Sequence, residues 1–407
     1  MFARGVMSRE IMKLKKKLEA GDHDAVLTFW NKIEEKGAPI IEEIDGDTEN
    51  DLVTFVYKGN DETQNILLFI TYEYENCSDY KLDEYKFERL LDTNIWYKTC
   101  KQRNDIRFNY SFSVNDSLDD NWNERWKNLE QDSLNKNKLT LMGENGEEDV
   151  ITYIVMPKAD AHTWIKKRND NLKGNMELHQ FKSTKLNNER RIWVYTPEGY
   201  SMENEPYGFL VLTDGQDYLD ISAKNVLDNL ISYKKIPPII TVFIESLLDK
   251  RWDELQCNDD YAYFIGNEVV PWIKQNYNIS DNPEKNIIGG LSLGGLTASF
   301  IGLKCPHVFG NVLSQSGSYW YKWEERNDPG KRNWMAKKYS INDKLNLKFY
   351  LNIGILDDKE MRDTNIEMRD TLLKKNYDVF YEEFKSGHDY LCWGETLANG
   401  LIALIGK

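Results

Sequence analysis

Histidine is scarce in this chain, with five residues in 407: His23, His162, His179, His307 and His388. Any chemistry that needs an imidazole base therefore has few candidates. Cysteine is equally sparse. Its five positions (Cys77, Cys100, Cys257, Cys305 and Cys392) are odd in number, far apart and without a CxxC pair. That pattern argues against a disulfide scaffold and a structural zinc site, and no metal site is expected. Long apolar runs are also missing. A signal peptide needs roughly 7–15 uninterrupted apolar residues and a membrane span about 20. One of the most apolar runs here, Ile239 to Ile244, is only strand-sized. The expectation is a cytoplasmic chain with no membrane segment. Basic residues are in deficit, 52 Lys and Arg against 67 Asp and Glu, for a net charge of −15. Such a chain is repelled by nucleic acid and anionic membrane unless one face gathers its cations, and neither is expected as a partner.

The chain is 41% hydrophobic and 13% aromatic, enough apolar mass for a substantial core and incompatible with wholesale disorder. Its length suits one large domain plus a smaller one. Glu10 to Glu35 is charged and helix-compatible, with apolar residues at Leu14, Leu18, Val26, Leu27 and Trp30. Alternating segments follow at Leu52 to Tyr57, Ile66 to Ile70 and Arg107 to Val114, the pattern of half-buried antiparallel strands. The first third, residues 1–165 with a connecting segment, is thus predicted to be a small β-sandwich. The polar stretch from Asp132 to Glu148 and the residues after it are expected to be the connection.

From Met176 the pattern changes. Strands are predicted at Met176 to Ser183, Arg191 to Thr196, Phe209 to Thr213, Ile239 to Ile244, Lys285 to Gly289, Val308 to Leu313, Lys348 to Ile353 and Val379 to Phe384. Helices are expected between most of the later ones, including Tyr261 to Asn276, Gly295 to Lys304 and Asn365 to Lys375. Two leading strands followed by strand–helix alternation predict an α/β domain over residues 175–407 with a mainly parallel sheet. Ligands of such sheets sit at the carboxyl ends of the strands, which directs attention to the loops there.

The strongest local signal is Gly290-Leu291-Ser292-Leu293-Gly294, between an apolar strand and a helix. This is the setting of a nucleophile elbow, a sharp turn that forces the serine into strained backbone angles and projects its hydroxyl above the sheet. A serine nucleophile needs a base. In α/β-hydrolases the order is serine, acid, histidine, leaving His307 and His388 on the correct side. His307 follows Cys305-Pro306 at the end of the elbow helix and reads as a surface residue. His388, in Ser386-Gly387-His388-Asp389 after the last predicted strand, is the expected base. The acid should follow the preceding strand, where Asp357, Asp358 and, less well, Glu360 all fit. Asp357 is the choice, against the alternative of a serine–histidine dyad. For the oxyanion, the N–H of Leu293 is one expected donor, and the N–H of Gly215 or Gln216 the second, although an ordinary turn there has the same spacing. Two segments read as pocket walls, Arg251 to Asn258 (including Glu254) and Ser314 to Trp323 (including Trp320). Their aromatics and cations suit an aromatic, anionic ligand, or simply core.

Together these segments resemble the enterochelin (enterobactin) esterase family, hydrolases of catecholate trilactone siderophores. The resemblance lies in Asp214 to Gln216, Arg251 with Glu254-Leu255 and Cys257-Asn258, Gly290 to Leu296, Leu313 to Trp320, and Gly387 to Asp389 with Cys392-Trp393. It covers most of residues 175–407. Met156 to Ala159, Arg190 to Val194 and Asp132 to Asn135 extend it. It implies an α/β-hydrolase fold behind an N-terminal β-sandwich, and an intracellular esterase that cuts the three ester bonds of an imported ferric siderophore with Ser292 and His388. It further implies no cofactor, with iron present only as part of the substrate, and Arg251 in contact with the trianionic ferric catecholate. Lys322, Arg326 and Arg362 are expected to complete a cationic patch near the strand ends. Other esters (feruloyl or acetyl-sugar), or siderophore binding without turnover, are the rival readings.

Overall fold

The computed structural model describes residues 8–75, 81–143, 146–321 and 333–406. It divides into two compact units, one of residues 1–140 and 149–160, the other of residues 141–148 and 161–407.

In the first unit, β1 (Ile40–Glu43), β2 (Asn50–Lys58), β4 (Glu88–Arg89) and β5 (Ile95–Arg103) form a sheet in the order β1-β2-β5-β4. A second sheet joins β3 (Ile66–Ile70), β6 (Arg107–Val114), β9 (Glu148–Val155) and β8 (Lys138–Met142), with the short β7 (Leu129–Glu130) paired to β6. Inward-facing rings hold the sheets together. Phe55 of β2 meets Tyr110 of β6 edge-on at 4.7 Å, and Tyr57 meets Phe112 at 5.9 Å, the arrangement aromatic quadrupoles favour. The predicted N-terminal helix is two helices, Arg9–Glu19 and Ala25–Lys36, parted at Gly21, whose φ of +82° suits glycine. Their apolar faces (Ile11, Leu14, Phe29, Trp30, Ile33) join a core cluster with Val56, Ile95 and Tyr97, while Leu27 is exposed. The polar stretch 132–148, expected as the connection, instead contains β8 and leads into β9. Lys138–Met142 still alternates, and strand pairing supplies hydrogen bonds to a backbone whose composition looked loop-like.

The second unit is mixed α/β. Its strands are β10 (Asn175–Ser183), β11 (Asn188–Thr196), β12 (Gly208–Leu212), β13 (Ile239–Ile244), β14 (Ile287–Leu291), β15 (Asn311–Gln315), β16 (Lys348–Gly354) and β17 (Asp378–Phe384). They form one eight-stranded sheet in the order β10-β11-β13-β12-β14-β15-β16-β17, parallel from β13 to β17 with β11 antiparallel to both neighbours. The central strands β12 to β15 are buried almost throughout on both faces, as in a parallel sheet covered by helices; β12, β13 and β14 are mostly apolar, while β15 carries the buried polar residues Asn311, Ser314 and Gln315. The predicted helix from Tyr261 runs as Asp259–Tyr263, a wider-wound turn at Phe264–Val269, and Val270–Asn276. That predicted from Asn365 begins earlier, at Lys359, because Asp358 caps it with bonds from Glu360 N and Met361 N. Among the described residues no helix is long and apolar enough to cross a membrane.

Candidate active site

β14 stops at Leu291, and Ser292 turns the chain into the helix Leu293–Lys304 with φ 55° and ψ −118°. This backbone lies in the left-handed half of the map, where a residue with a side chain is strained by about 1–3 kcal/mol. The turn is held by Ser292 N donating to Gln315 O at 2.8 Å. The flanking glycines answer to close approach. A Cβ on Gly290 would lie 2.4 Å from the Gly294 carbonyl, and one on Gly294 2.4 Å from Thr213 Oγ1.

The loop after β17 brings His388 to this turn, 96 residues away in sequence, with Nε2 2.9 Å from Ser292 Oγ. Its ring stands edge-on to Trp393 at 5.1 Å, and Trp393 Nε1 donates to Ser316 Oγ at 3.2 Å. The loop after β16 brings Asp357, fully buried, with Oδ1 3.3 Å from His388 Nδ1. That contact is ionic in distance and has not closed to hydrogen-bond alignment. Catalytic hydrogen bonds in unliganded sites are often this loose. The other Asp357 oxygen, Oδ2, accepts from Gly354 N at 3.1 Å, which orients the carboxylate. Asp358 caps the following helix, in which Glu360 lies, so Asp357 is the candidate acid that stands at the imidazole. Sequence reasoning missed a second buried carboxylate. Asp389 accepts from Ser386 Oγ (2.9 Å) and Leu391 N (3.0 Å), and its pKa is pushed up to about 7, first by burial and further by the charge of Asp357. Its place before the helix Tyr390–Ile405 was a readable N-cap signal.

Leu293 is the first residue of the elbow helix, where a backbone N–H has no intrahelical acceptor. At the end of β12 the left-handed residue is Asp214 (φ 53°), and Gly215 opens a short helix. Glycine is needed at 215 because a Cβ there would meet the β13 backbone at 2.5 Å, at Phe243 C and Ile244 N. The Gln216 side chain is locked to Ser246, donating to its carbonyl (3.3 Å) and accepting from its N–H (3.1 Å).

Arg251 does not stand as a free cation. Its Nε and Nη2 donate to Oδ1 and Oδ2 of the buried Asp214 at 2.7 and 2.9 Å. Burial works against the Arg251 charge, but Asp214, with Tyr390 and Asp217 behind it, offsets this and the pKa of Arg251 is raised. Next to this pair, Asp217 is pushed up to about 7 by burial and then by Asp214, while Tyr390 donates to it at 3.1 Å. Glu254, expected in the pocket wall, is turned elsewhere. It accepts from Arg190 Nη1 and Nη2 at 2.9 and 2.7 Å, with side-chain exposures of 7% and 0%. The correction is physical: an arginine buried on β11 needs a carboxylate, and the helix Leu248–Glu254 supplies it. Trp320 stacks on Trp252 at 6.1 Å with 29° between the planes, and Trp252 is 58% exposed. Arg362 lies in the first turn of the helix Lys359–Lys374, its Nε buried without a hydrogen bond. Lys322 and Arg326 lie outside the described residues. No group of three or more metal-ligating side chains occurs among the described residues. A surface cavity of about 560 Å³ lined by Tyr207, Pro238 and Leu404 opens at the opposite, N-terminal ends of β12 and β13 and contains none of these groups.

The family model described as "Putative esterase" matches residues 183–404. The chain is 28% identical over 331 residues to the iron(III) enterobactin esterase of Escherichia coli strain K12, covering 78% of this chain and 81% of that protein. It is 25% identical over 411 residues to that of Dickeya dadantii strain 3937, covering 93% and 92%. The crystal structure of an enterobactin esterase from Shigella flexneri in the presence of enterobactin is similar at 25% identity and a TM-score of 0.76, covering 91% of this chain and 96% of that one. The ferric enterobactin esterase of Salmonella typhimurium shares the fold, with a TM-score of 0.77.

Proposed function

The chain belongs to the enterochelin (enterobactin) esterase family, and from that premise we propose that it is a serine esterase that hydrolyses the trilactone of a ferric catecholate siderophore in the cytoplasm. The observation that carries the chemistry is Ser292 Oγ at 2.9 Å from His388 Nε2 on a strained strand-to-helix turn. The sheet order supports an α/β-hydrolase fold, in which this turn sits at the carboxyl ends of the strands. The names of the enterobactin esterases above support the substrate class.

In this mechanism Ser292 gives its proton to His388 Nε2 as Oγ attacks a lactone carbonyl. Asp357 keeps the other imidazole proton on Nδ1 and stabilises the imidazolium. The carbonyl oxygen, now an anion, is met by the N–H of Leu293 and by that of Gly215 or Gln216. Collapse breaks the acyl C–O bond, and His388 protonates the departing serine or threonine hydroxyl. Water, deprotonated by His388, then releases the acyl group and restores Ser292. These steps use no cofactor, and iron enters only with the substrate. Each cut opens the trilactone further and loosens its hold on iron. Trp252 and Trp320 offer an aromatic wall to the catechols. Arg362 supplies positive charge, and Arg251, its charge matched by Asp214, offers its remaining N–H donors.

The test is chromatography of products after mixing the protein with ferric and iron-free trilactone, with Ser292→Ala in parallel. Linear trimer and smaller units from wild type alone are expected. A surviving trilactone alongside hydrolysis of a feruloyl or acetyl-sugar ester would keep the hydrolase and remove the siderophore. Binding of the siderophore with no hydrolysis of any ester would overturn the enzymatic reading.

A further inference from the structure

The segment that follows β15, from Ser316 to Ser318, is held by several hydrogen bonds and close contacts. Ser316 has φ +44°, its N–H donates to Asn352 O (3.0 Å) and Asn352 Oδ1 (3.1 Å), and its hydroxyl accepts from Trp393. Gly317 O accepts from Asn365 Nδ2 at 2.8 Å, and a Cβ on Gly317 would lie 2.6 Å from Ser314 Oγ and from the Tyr319 ring. Strain held this firmly points to something being positioned. The next residue is Ser318, 1% exposed, whose N–H donates to Ser292 O at 3.0 Å and whose Oγ lies 3.3 Å from Ser292 Oγ.

Resting on the reading of Ser292 as nucleophile, we propose that Ser318 is a further catalytic residue, its hydroxyl donating to Ser292 Oγ as negative charge develops there. Ser292 has one proton. With Nδ1–H facing Asp357, His388 Nε2 is an acceptor and takes that proton, so in the Ser292–Ser318 pair the donor is Ser318. At 3.3 Å the bond is longer than the 2.5–3.0 Å of a good O–H···O contact, so it stabilises the resting hydroxyl little. It shortens when Oγ gains charge, on attack and again when Oγ leaves the acyl-enzyme. An interaction stronger in the transition state than in the ground state raises kcat. Ser318 keeps its own proton throughout, and the transferred proton remains the one shared by Ser292 and His388.

The experiment compares wild type with Ser318→Ala, Ser318→Cys, Ser318→Thr and Ser292→Ala, using a fluorophosphonate probe and a p-nitrophenyl ester. Neither reagent depends on the siderophore, so the test separates this proposal from the substrate assignment. Melting curves identify the folded variants. Ser318→Ala and Ser318→Cys, which lose or weaken the donor, are expected to label and turn over about tenfold more slowly with KM little changed. Removal of a neutral and of a charge-assisted hydrogen bond bracket that figure at roughly twofold and a hundredfold. Ser318→Thr, which keeps the hydroxyl, recovers most of the rate. A folded Ala or Cys variant that labels at the wild-type rate overturns the role of Ser318. A wild-type protein that does not label at all overturns the reading of Ser292 instead.

Discussion

Glu254→Ala separates the two places a pocket-wall carboxylate could act. In the structure both Glu254 oxygens accept from Arg190, and Oε1 also accepts from Asn188 Nδ2 at 2.9 Å. Burial disfavours the Arg190 charge, and the Glu254 hydrogen bond and the charges around it reverse that, so its pKa is raised. Removing the carboxylate leaves a guanidinium with 0% side-chain exposure and only the Glu245 carbonyl and Asn188 Oδ1 as hydrogen-bond acceptors. Breaking a buried ion pair from one side costs about 3–5 kcal/mol. At about 2–4 °C per kcal/mol for a unit of this size, the melting temperature should fall by about 6–20 °C. The same assay on Glu254→Gln should show a smaller loss, because the amide oxygen still accepts. Replacing both partners, Arg190→Met with Glu254→Leu, should recover much of the stability, since no unpaired charge remains. Calorimetry and ester hydrolysis are measured on one preparation, and KM of the folded fraction should not move. A Glu254→Ala protein that melts within about 2 °C of wild type and shows a raised KM would falsify the assignment and return Glu254 to the substrate.

Asp357→Asn, which removes the charge beside His388 Nδ1, should lower kcat by roughly a thousandfold to ten-thousandfold, as measured by burst and steady-state kinetics on an aryl ester; unchanged kcat would mean a serine–histidine dyad. Trp252→Ala should raise KM for an ester with an aromatic acyl group by about two- to tenfold, the worth of one aromatic contact, and leave the melting temperature alone because the ring is exposed. For Asp389, burial raises the folded-state pKa from 3.8 to about 7, so between these values the folded protein holds a proton that the unfolded chain has lost. Stability from this group is therefore fully present below about pH 4 and falls as pH rises to about 7. Asp389→Asn keeps the helix cap and has no proton to lose. Denaturation from pH 4 to 7 should show a less negative slope for the variant, and identical slopes would refute the shift.

The elements that could be read in advance are those whose signal is local. Ile239–Ile244 and Ile66–Ile70 became strands with those bounds because β-branched and aromatic apolar residues fit a buried pleated surface, although Ile66–Ile70, expected to be half-buried, is buried at every position. Lys138–Met142 was obscured because it is short, lies in a polar stretch and is at most half-buried, and its strand exists through pairing with a partner in the sheet. At the site, Gly290 to Gly294 announces a tight turn because only glycine tolerates the contacts that such a turn makes.

The sequence by itself determined the order of strands and helices, the turn at Ser292, and the short set of residues able to act as base or acid. Tertiary structure alone decided which of them meet. Ser292, His388 and Asp357 come from the ends of three different strands, and the 2.9 and 3.3 Å that separate them follow from sheet order. It also decided that Arg251 faces Asp214 and that Glu254 faces Arg190. The physical reason is that turn formation and apolar periodicity act between neighbours in the chain, whereas the partner of a buried charge is whichever group the packed elements bring within reach, and nothing in its own segment specifies that.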